Sequence, residues 1–347
     1  MKRFSSDYVH GAHPAILERL CETNMEETPG YGEDEYCEKA RAFIQKAVQN
    51  EKAQVHFLVG GTQTNTTVIA AALRPHQGVL TAESGHVAVH ETGAIEAVNH
   101  KVITLQSSDG KLNAAQIDAY VEGHFKDESF EHMVQPKMVY LSHPTELGTL
   151  YTKKELEEIA AICKKWDLYF YLDGARLGYG LGVSNSDVTL PLLGELCDVF
   201  YIGGTKVGAL FGEAVVITNL QLMKDFRYII KQNGGMLAKG RLLGVQFQRM
   251  FEDDLYLQMG RHGIEMANVL REGLKTCGLS FLIDSPTNQI FPVFEDAIIE
   301  ELKKDYDFSY QQRMDEQHSA VRFCTCWATK EEDVSALINK IKELTGN

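Results

Sequence analysis

From about residue 36 to residue 220 the chain alternates short continuous apolar runs with stretches that are apolar on one side only. Tyr36, Ala40, Phe43, Ile44 and Val48 recur at the spacing that places side chains on one face of a helix. Val55 to Val59 then reads as a buried strand, Thr62 to Leu73 as a helix and Gly78 to Ala82 as another short strand. Helical patterns at Val87 to Ala97 and Ala114 to Glu122 flank the strand-like run Lys101 to Leu105. Lys137 to Ser142, Leu168 to Leu172 and Val199 to Ile202 extend the series as apolar runs without alternation, the pattern of strands covered on both faces. Thr152 and Glu155 form a capping box that opens a helix with Leu156, Ile159, Ala160 and Cys163 inward, and Lys164 and Lys165 suit its C-terminal dipole. Strand and helix in alternation predict an α/β fold with a mostly parallel central sheet and helices on both faces.

After about residue 245 the texture changes. A long helix from Leu255 to Leu274, short strands near Phe281 and Ile290, a strand from Ala320 to Cys326 and a final helix predict a smaller α+β domain. The last helix has a capping signal at Thr329 and Glu332 and a stripe of Val334, Leu337, Ile338, Ile341 and Leu344. With 347 residues, and roughly 150 residues per domain as a prior, the chain divides into a large domain at 1–245 and a small one at 246–347.

Charge narrows the ligands. Lys and Arg number 34 against 48 Asp and Glu, a net charge of −14 that disfavours nucleic acid and anionic membranes as partners. An anionic ligand therefore has to be held by local donors such as helix N-termini or a few placed cations. The N-terminus carries no apolar run of the signal-peptide kind, and no stretch has the length of a membrane span, so the expected location is the cytoplasm. The seven cysteines are scattered without a CxxC pair and read as reduced thiols; Cys324 and Cys326, two apart on the predicted strand, share a face but have no second pair, and no metal is expected.

In open α/β sheets ligands sit beyond the carboxyl ends of the strands, and four segments follow strands there. Gly60-Gly61-Thr62-Gln63 offers free N–H groups at a helix start, a cradle for a phosphate, and equally an ordinary turn with a Thr cap. Asp173-Gly-Ala-Arg176 ends a buried strand in an acid, which needs a cation or several donors; an N-cap Asp173 paired with Arg176 would also satisfy it. Gly203-Gly204-Thr205-Lys206 delivers one lysine among apolar and glycine residues, where loss of solvent lowers an amine's pKa and frees it as a nucleophile; a loop lysine is the plainer reading. Ser84-Gly-His86 to His90-Glu91 holds two histidines on a helical face, without the HExxH pattern of a zinc site. No glycine fingerprint of a nicotinamide enzyme opens the first βα unit.

A phosphate cradle, a buried acid and a reactive lysine, in that order, match the needs of pyridoxal 5′-phosphate: a phosphate, a pyridine nitrogen and an aldehyde. Together with Phe4-Ser-Ser-Asp7, Tyr31-Gly-Glu-Asp34 and Val321-Arg-Phe323, these segments make the chain resemble the L-threonine aldolase family of fold-type-I pyridoxal enzymes, nearly end to end. Tyr31 to Glu35 and Thr145 to Thr152 look like the branch that includes phenylserine aldolase, while Ser142-His143-Pro144-Thr145-Glu146 departs from the His-Asn pattern of more usual members.

The resemblance implies an aldehyde-lyase that cleaves the Cα–Cβ bond of a β-hydroxy L-amino acid to glycine and an aldehyde. It gives Lys206 the Schiff base, Asp173 the pyridinium and His86 the face of the ring. Gly61, Thr62 and Gln63 hold the phosphate, with Thr205 and Arg176 beside the cofactor. Ser6, Arg176 and Arg322 match the contacts to the substrate carboxylate, and a planar guanidinium suits that group. His143 and Tyr31 fall on the substrate side, and Tyr31, Lys231 or Lys239 reach across a dimer interface in a homodimer or homotetramer. The base that takes the β-hydroxyl proton stays open among His86, His143, Glu91 and water. β-Elimination, transamination or racemisation would use the same Lys206 and Asp173, and a pyridoxal-fold binding protein without turnover would keep them too.

Overall fold

The computed structural model describes residues 1–346. Seven strands form one sheet in the spatial order Gln54–Leu58, Glu213–Ile217, Val199–Gly203, Tyr169–Asp173, Gln135–Ser142, Gln77–Ala82, Lys101–Leu105. The last five run parallel to one another, and Glu213–Ile217 runs antiparallel to both of its neighbours. Gln54–Leu58 therefore runs in the same direction as the parallel five. The register pairs Leu58 and Gly203 with Glu213, and Ser142 with Asp173, so these residues share one edge of the sheet. The sequence did not mark Glu213–Ile217 as a separate strand, because its apolar run follows a glycine-rich loop and shows no sign of reversed direction.

Alternate residues of each strand serve opposite faces, as the pleat requires. Phe170, Leu172, Phe200 and Ile202 pack into one core, whereas Tyr171, Val199 and Tyr201 pack into the other. Full burial of such side chains contributes about 1.5–3 kcal/mol each. The two strands that carry Asp173 and Lys206 approach closely just beyond their ends. A Cβ on Gly174 would stand 1.9 Å from the Tyr201 carbonyl oxygen, and one on Gly203 would stand 2.3 Å from that of Ala175. Only glycine at both places lets the turn after Asp173 lie against the loop that holds the lysine.

The small domain is antiparallel. His318–Cys324 pairs with Val293–Glu295 on one side and Ser309–Arg313 on the other, and further along with Gln289–Ile290. Helices Leu255–Thr276 and Glu331–Thr345 cover it, and Leu270, Leu274, Phe323, Leu337 and Ile341 form its core. The N-terminus joins this domain: Lys2–Arg3 pairs with Tyr306–Asp307 and Phe4 enters the core, which leads Ser5 to Asp7 toward the large sheet. Position 245/246 lies inside the helix Arg241–Glu252, whose Phe247 and Met250 pack in the large core. The helix Leu255–Thr276 serves both bodies, with Tyr256 and Met259 in the large core and Leu270 in the small one.

Four local expectations need correction. The predicted helix over 87–97 is two single turns, His86–Val89 and Ala94–Ala97, interrupted by Thr92 and Gly93 at φ 53° and 70°. Phe281 makes only an isolated bridge to Pro292. Thr329 does not cap the final helix; its hydroxyl accepts from the Cys326 N–H at 2.8 Å, and the helix starts after Lys330 without a side-chain cap. The strand ends at Cys324, so Cys326 lies beyond it, and both are buried free thiols. Among the described residues no helix is long and apolar enough to cross a membrane.

Candidate active site

The carboxyl edge of the large sheet and the face of the small domain enclose a cavity of about 740 Å³. Lys206 enters it from the loop after Val199–Gly203. Its carbonyl is held by the Tyr179 hydroxyl at 2.7 Å, while among the described residues nothing accepts a hydrogen bond from its amine. Burial, then the nearby Arg176 charge, pushes the Lys206 pKa below that of an ordinary lysine, although Asp7, Asp173 and Glu213 pull the other way. A neutral buried amine with a free lone pair is a nucleophile.

Glu213 lines the same cavity from the antiparallel strand. Its Oε2 accepts from the Gly204 N–H at 3.0 Å, and the Thr205 hydroxyl bonds it as well. Burial pushes its carboxyl up to about 8. The sequence reading missed this residue; an acid opening an otherwise apolar strand was the available signal.

Asp173 is buried at the end of its strand with both oxygens engaged. The Tyr201 hydroxyl donates to Oδ1 at 2.6 Å and the Ala175 N–H at 2.9 Å, while Tyr140 donates to Oδ2 and the Asn65 amide reaches it at 3.4 Å. Tyr171 in turn donates to Asn65 Oδ1 at 2.6 Å, which fixes the orientation of the amide. Several donors, not Arg176, thus satisfy this carboxylate. Tyr140, Asn65 and Tyr201 were also missed, since tyrosines within apolar runs read as core.

His86 stands on the cavity wall with Nδ1 at 2.8 Å from Glu91 Oε1, and the same oxygen accepts from Asn65 at 2.6 Å. Asn65 therefore joins the Asp173 and His86 groups into one network. Glu91 itself is buried beneath the wall. Glu146 Oε1 accepts from the His86 N–H at 3.0 Å and from the Ser142 hydroxyl at 2.5 Å, and burial raises the Glu146 pKa.

Two guanidinium groups face the cavity from the other side. Arg176 is paired with Asp7 through Nε at 2.7 Å and Nη2 at 3.2 Å. Burial works against both charges, but each stabilises the other: Asp7 is held below the usual carboxylate range and Arg176 above the usual arginine value. Arg322 donates through Nη2 to the Ser5 carbonyl at 3.0 Å and through Nη1 to Gln289 Oε1 at 3.4 Å, while its buried Nε has no partner. Tyr8 and Gln311 complete this wall.

Gly61 and Thr62 begin the helix Gly61–Ala72 at the cavity floor, and its N-cap Gly60 provides no side-chain hydrogen bond. Gln63 does not line the cavity; its side chain bonds the Val59 N–H and the Asn233 carbonyl, both at 3.3 Å. Ser6 is buried and does not line the cavity. His143, expected on the substrate side, is fully buried beside Tyr151, whose N–H it accepts at 3.4 Å, and burial pushes its pKa down to about 4. The strand that delivers His143 points Ser142 and Pro144 at the cavity instead. Tyr31 lies outside the cavity, half exposed, with the Lys231 ammonium 4.9 Å from its ring, and Lys239 is exposed.

The donor set fits a phosphorylated pyridine aldehyde. Free N–H groups and the positive end of a dipole meet an anion at Gly61 and Thr62, where a Cβ on Gly60 would find nothing but open space within 4 Å. A carboxylate with fixed donors suits a pyridinium, and an amine whose charge burial disfavours suits an aldehyde. Two arginines opposite suit a substrate carboxylate.

The family model of beta-eliminating lyases matches residues 3–297. A low specificity L-threonine aldolase of Pseudomonas aeruginosa is 29% identical, over 99% of this chain and 98% of its own length. A solved structure of Leishmania major threonine aldolase superposes with a TM-score of 0.97 at 43% identity, covering 99% of this chain and 100% of that one. Aspartate aminotransferase of Thermus thermophilus, at 12% identity and a TM-score of 0.70 over 99% of this chain and 91% of that one, shares the fold alone. The chain belongs to the beta-eliminating lyase family and, within it, to the L-threonine aldolases, lyases that depend on pyridoxal 5′-phosphate.

Proposed function

We propose that this enzyme cleaves the Cα–Cβ bond of a β-hydroxy L-amino acid, of the L-threonine, L-allo-threonine or phenylserine type, to glycine and an aldehyde. The observation that carries the reading is the placement of Lys206 and Asp173 in one cavity, with the helix start at Gly61 on the floor and Arg176 and Arg322 opposite.

In this reading Lys206 holds the cofactor's aldehyde carbon, Asp173 keeps a proton on its ring nitrogen, and Gly61 and Thr62 hold its phosphate with their main-chain N–H groups. Thr205, bonded to Glu213, braces the loop that carries Lys206. His86, steadied by Glu91, packs against the ring. When bound, pyridoxal phosphate supplies the electron sink into which the Cα–Cβ pair is drawn. Arg176 and Arg322 would clamp the substrate carboxylate and so fix the orientation of the amino acid, which selects the bond that breaks. The side chain on Cβ then faces Tyr8, Glu146 and the residues around His86.

Assembly as a homodimer or homotetramer belongs to the same proposal. Tyr31, Tyr228 and Met236 form an apolar recess with Lys231 on the surface, a site for a second copy. A cytoplasmic location accords with this chemistry. The division into a large and a small domain is retained as a proposal, with Leu255–Thr276 bridging the two.

Incubation with L-threonine, L-allo-threonine and L-phenylserine, beside a Lys206→Ala control, tests the reading. Equimolar glycine and aldehyde, lost in the control, are expected. Release of ammonia or a keto acid in place of an aldehyde would overturn it.

A further inference from the structure

Cleavage needs a group that takes the proton from the β-hydroxyl, and the cavity wall carries five carboxyl and imidazole side chains to weigh. Asp173 has both oxygens in hydrogen bonds. Glu213 is bonded to Gly204 and, pushed up to about 8 by burial, keeps a proton at neutral pH. Glu146 is raised by burial as well, and one oxygen already accepts from His86 and Ser142. His86 has its Nδ1 tied to Glu91. The fifth is His90, which the sequence reading had weighed only as a metal ligand.

We infer that His90 is the base that takes the β-hydroxyl proton, acting from the cavity wall beside His86. The inference rests on the aldolase reading above. His90 is exposed and lines the cavity, and among the described residues its ring makes no hydrogen bond. Its ring centroid lies 5.6 Å from that of His86 at an interplanar angle of 56°, so it stands next to that ring and does not stack on it. The main chain fixes the position: the His90 N–H closes the turn His86–Val89 on the His86 carbonyl at 2.9 Å, and left-handed Thr92 and Gly93 then redirect the chain. An unengaged imidazole on a rigid turn, facing the space left for the substrate, has the freedom that the other four lack.

The electrostatics agree. Partial desolvation at the cavity wall first, then the charges of His86 on its own turn, Arg322 on the small-domain strand, Lys206 on the loop after Val199–Gly203 and Arg176 after Asp173, all push the His90 pKa below 6.5. The ring is therefore neutral at pH 7 and able to accept a proton. In the step, the O–H bond breaks as its proton moves to the imidazole. The oxygen pair forms the aldehyde C=O, and the Cα–Cβ bond breaks with its pair left at Cα. A water molecule then protonates Cα to give glycine, and the hydroxide it leaves takes the proton back from the imidazolium, so the proton count closes.

His90→Asn tests the inference, with two measurements on the loaded enzyme. L-Threonine cleavage is expected to lose at least about 100-fold in kcat with KM within about threefold. Exchange of the glycine α-proton in heavy water, which frees no hydroxyl proton, stays within about threefold of wild type. An acid limb of kcat/KM is expected below pH 6.5 in the wild type and is expected to be missing in the variant. A third readout needs no turnover: NMR of the cofactor-free chain with labelled imidazoles shows one ring titrating below 6.5 whose signal is absent in His90→Asn. His90→Gln repeats the pattern. Cleavage that survives in both variants, or exchange that falls together with cleavage, overturns the assignment to His90. A wild type that exchanges glycine but releases no aldehyde overturns the aldolase reading itself, and this inference with it.

Discussion

Tyr201 donates its hydroxyl to Asp173 Oδ1 across 2.6 Å from the neighbouring strand, and Tyr140 donates to the other oxygen from the strand on the opposite side. A carboxylate buried at a strand end thereby receives a hydroxyl from each of the two flanking strands, with no arginine in contact. In the proposed reading the arrangement separates the charge assigned to the cofactor from the arginines assigned to the substrate.

Tyr201→Phe removes one of these donors and keeps the ring. Hydrogen bonds to charged groups contribute about 1.5–3 kcal/mol, and a similar loss of stability is expected in urea unfolding. Cofactor affinity should fall roughly tenfold, since an Asp173 with one donor fewer is held less firmly toward the pyridinium. Titration of the apoprotein with pyridoxal phosphate, followed by absorbance, measures it; unchanged affinity would show that Asp173 does not depend on Tyr201.

Asp7 and Arg176 form a buried pair joining the N-terminal arm to the cleft. Removing one partner of such a pair costs about 3–5 kcal/mol, because the other charge is left without compensation. Asp7→Ala should therefore unfold at lower denaturant and raise KM for the amino acid through a displaced Arg176. The Asp7 carboxyl is depressed in the folded protein despite its burial. Its stabilisation is thus complete above the ordinary value of 3.8 and is lost as pH falls through the folded value. Between pH 5 and pH 3, expressed roughly as melting temperature, the wild type should lose more than Asp7→Asn does.

Much of this was legible in the chain because the large sheet is buried on both faces, which leaves each strand an uninterrupted apolar run ending in polar residues at one edge. Gly61, Asp173 and Lys206 stood out as those polar ends. His143 misled for the same reason: it also follows a strand, but the pleat turns it into the core while Ser142 and Pro144 face the cavity. Glu213 was hidden because it begins a strand, and the rule that inspects strand ends does not reach an antiparallel member. Ser5 and Arg322 meet across more than three hundred residues of chain, through an N-terminal arm whose pairing with Tyr306–Asp307 has no local signature.

Glu213 gives a prediction of opposite sign to that for Asp7. Its folded pKa is raised to about 8 from 4.5 by burial, so the folded state holds the proton more tightly than the unfolded chain. The resulting stabilisation is complete below 4.5 and disappears as pH rises through about 8. In the cofactor-free chain the wild type should lose at least about 3 °C more in melting temperature than Glu213→Gln between pH 6 and pH 9. Parallel pH curves for the two proteins would mean that Glu213 is already ionised at neutral pH.

Gly61 sets two effects against each other. It occupies the first turn of the helix Gly61–Ala72, where alanine would favour the helix by up to about 1 kcal/mol. Yet a Cβ there would lie 3.2 Å from Tyr201 Oη, and that hydroxyl has little freedom to give way because Asp173 holds it. Gly61 also lines the cavity where, in the proposed reading, the phosphate is held. Gly61→Ala is therefore expected to fold with stability within about 1 kcal/mol of wild type, the helix gain offsetting the contact. Its affinity for pyridoxal 5′-phosphate should nevertheless fall at least tenfold, a loss of about 1.4 kcal/mol. Binding of pyridoxal without the phosphate provides the comparison. If both forms lose equally, the methyl acts through Tyr201 and Asp173; if only the phosphorylated form loses, the anion sits on the N-terminus of this helix.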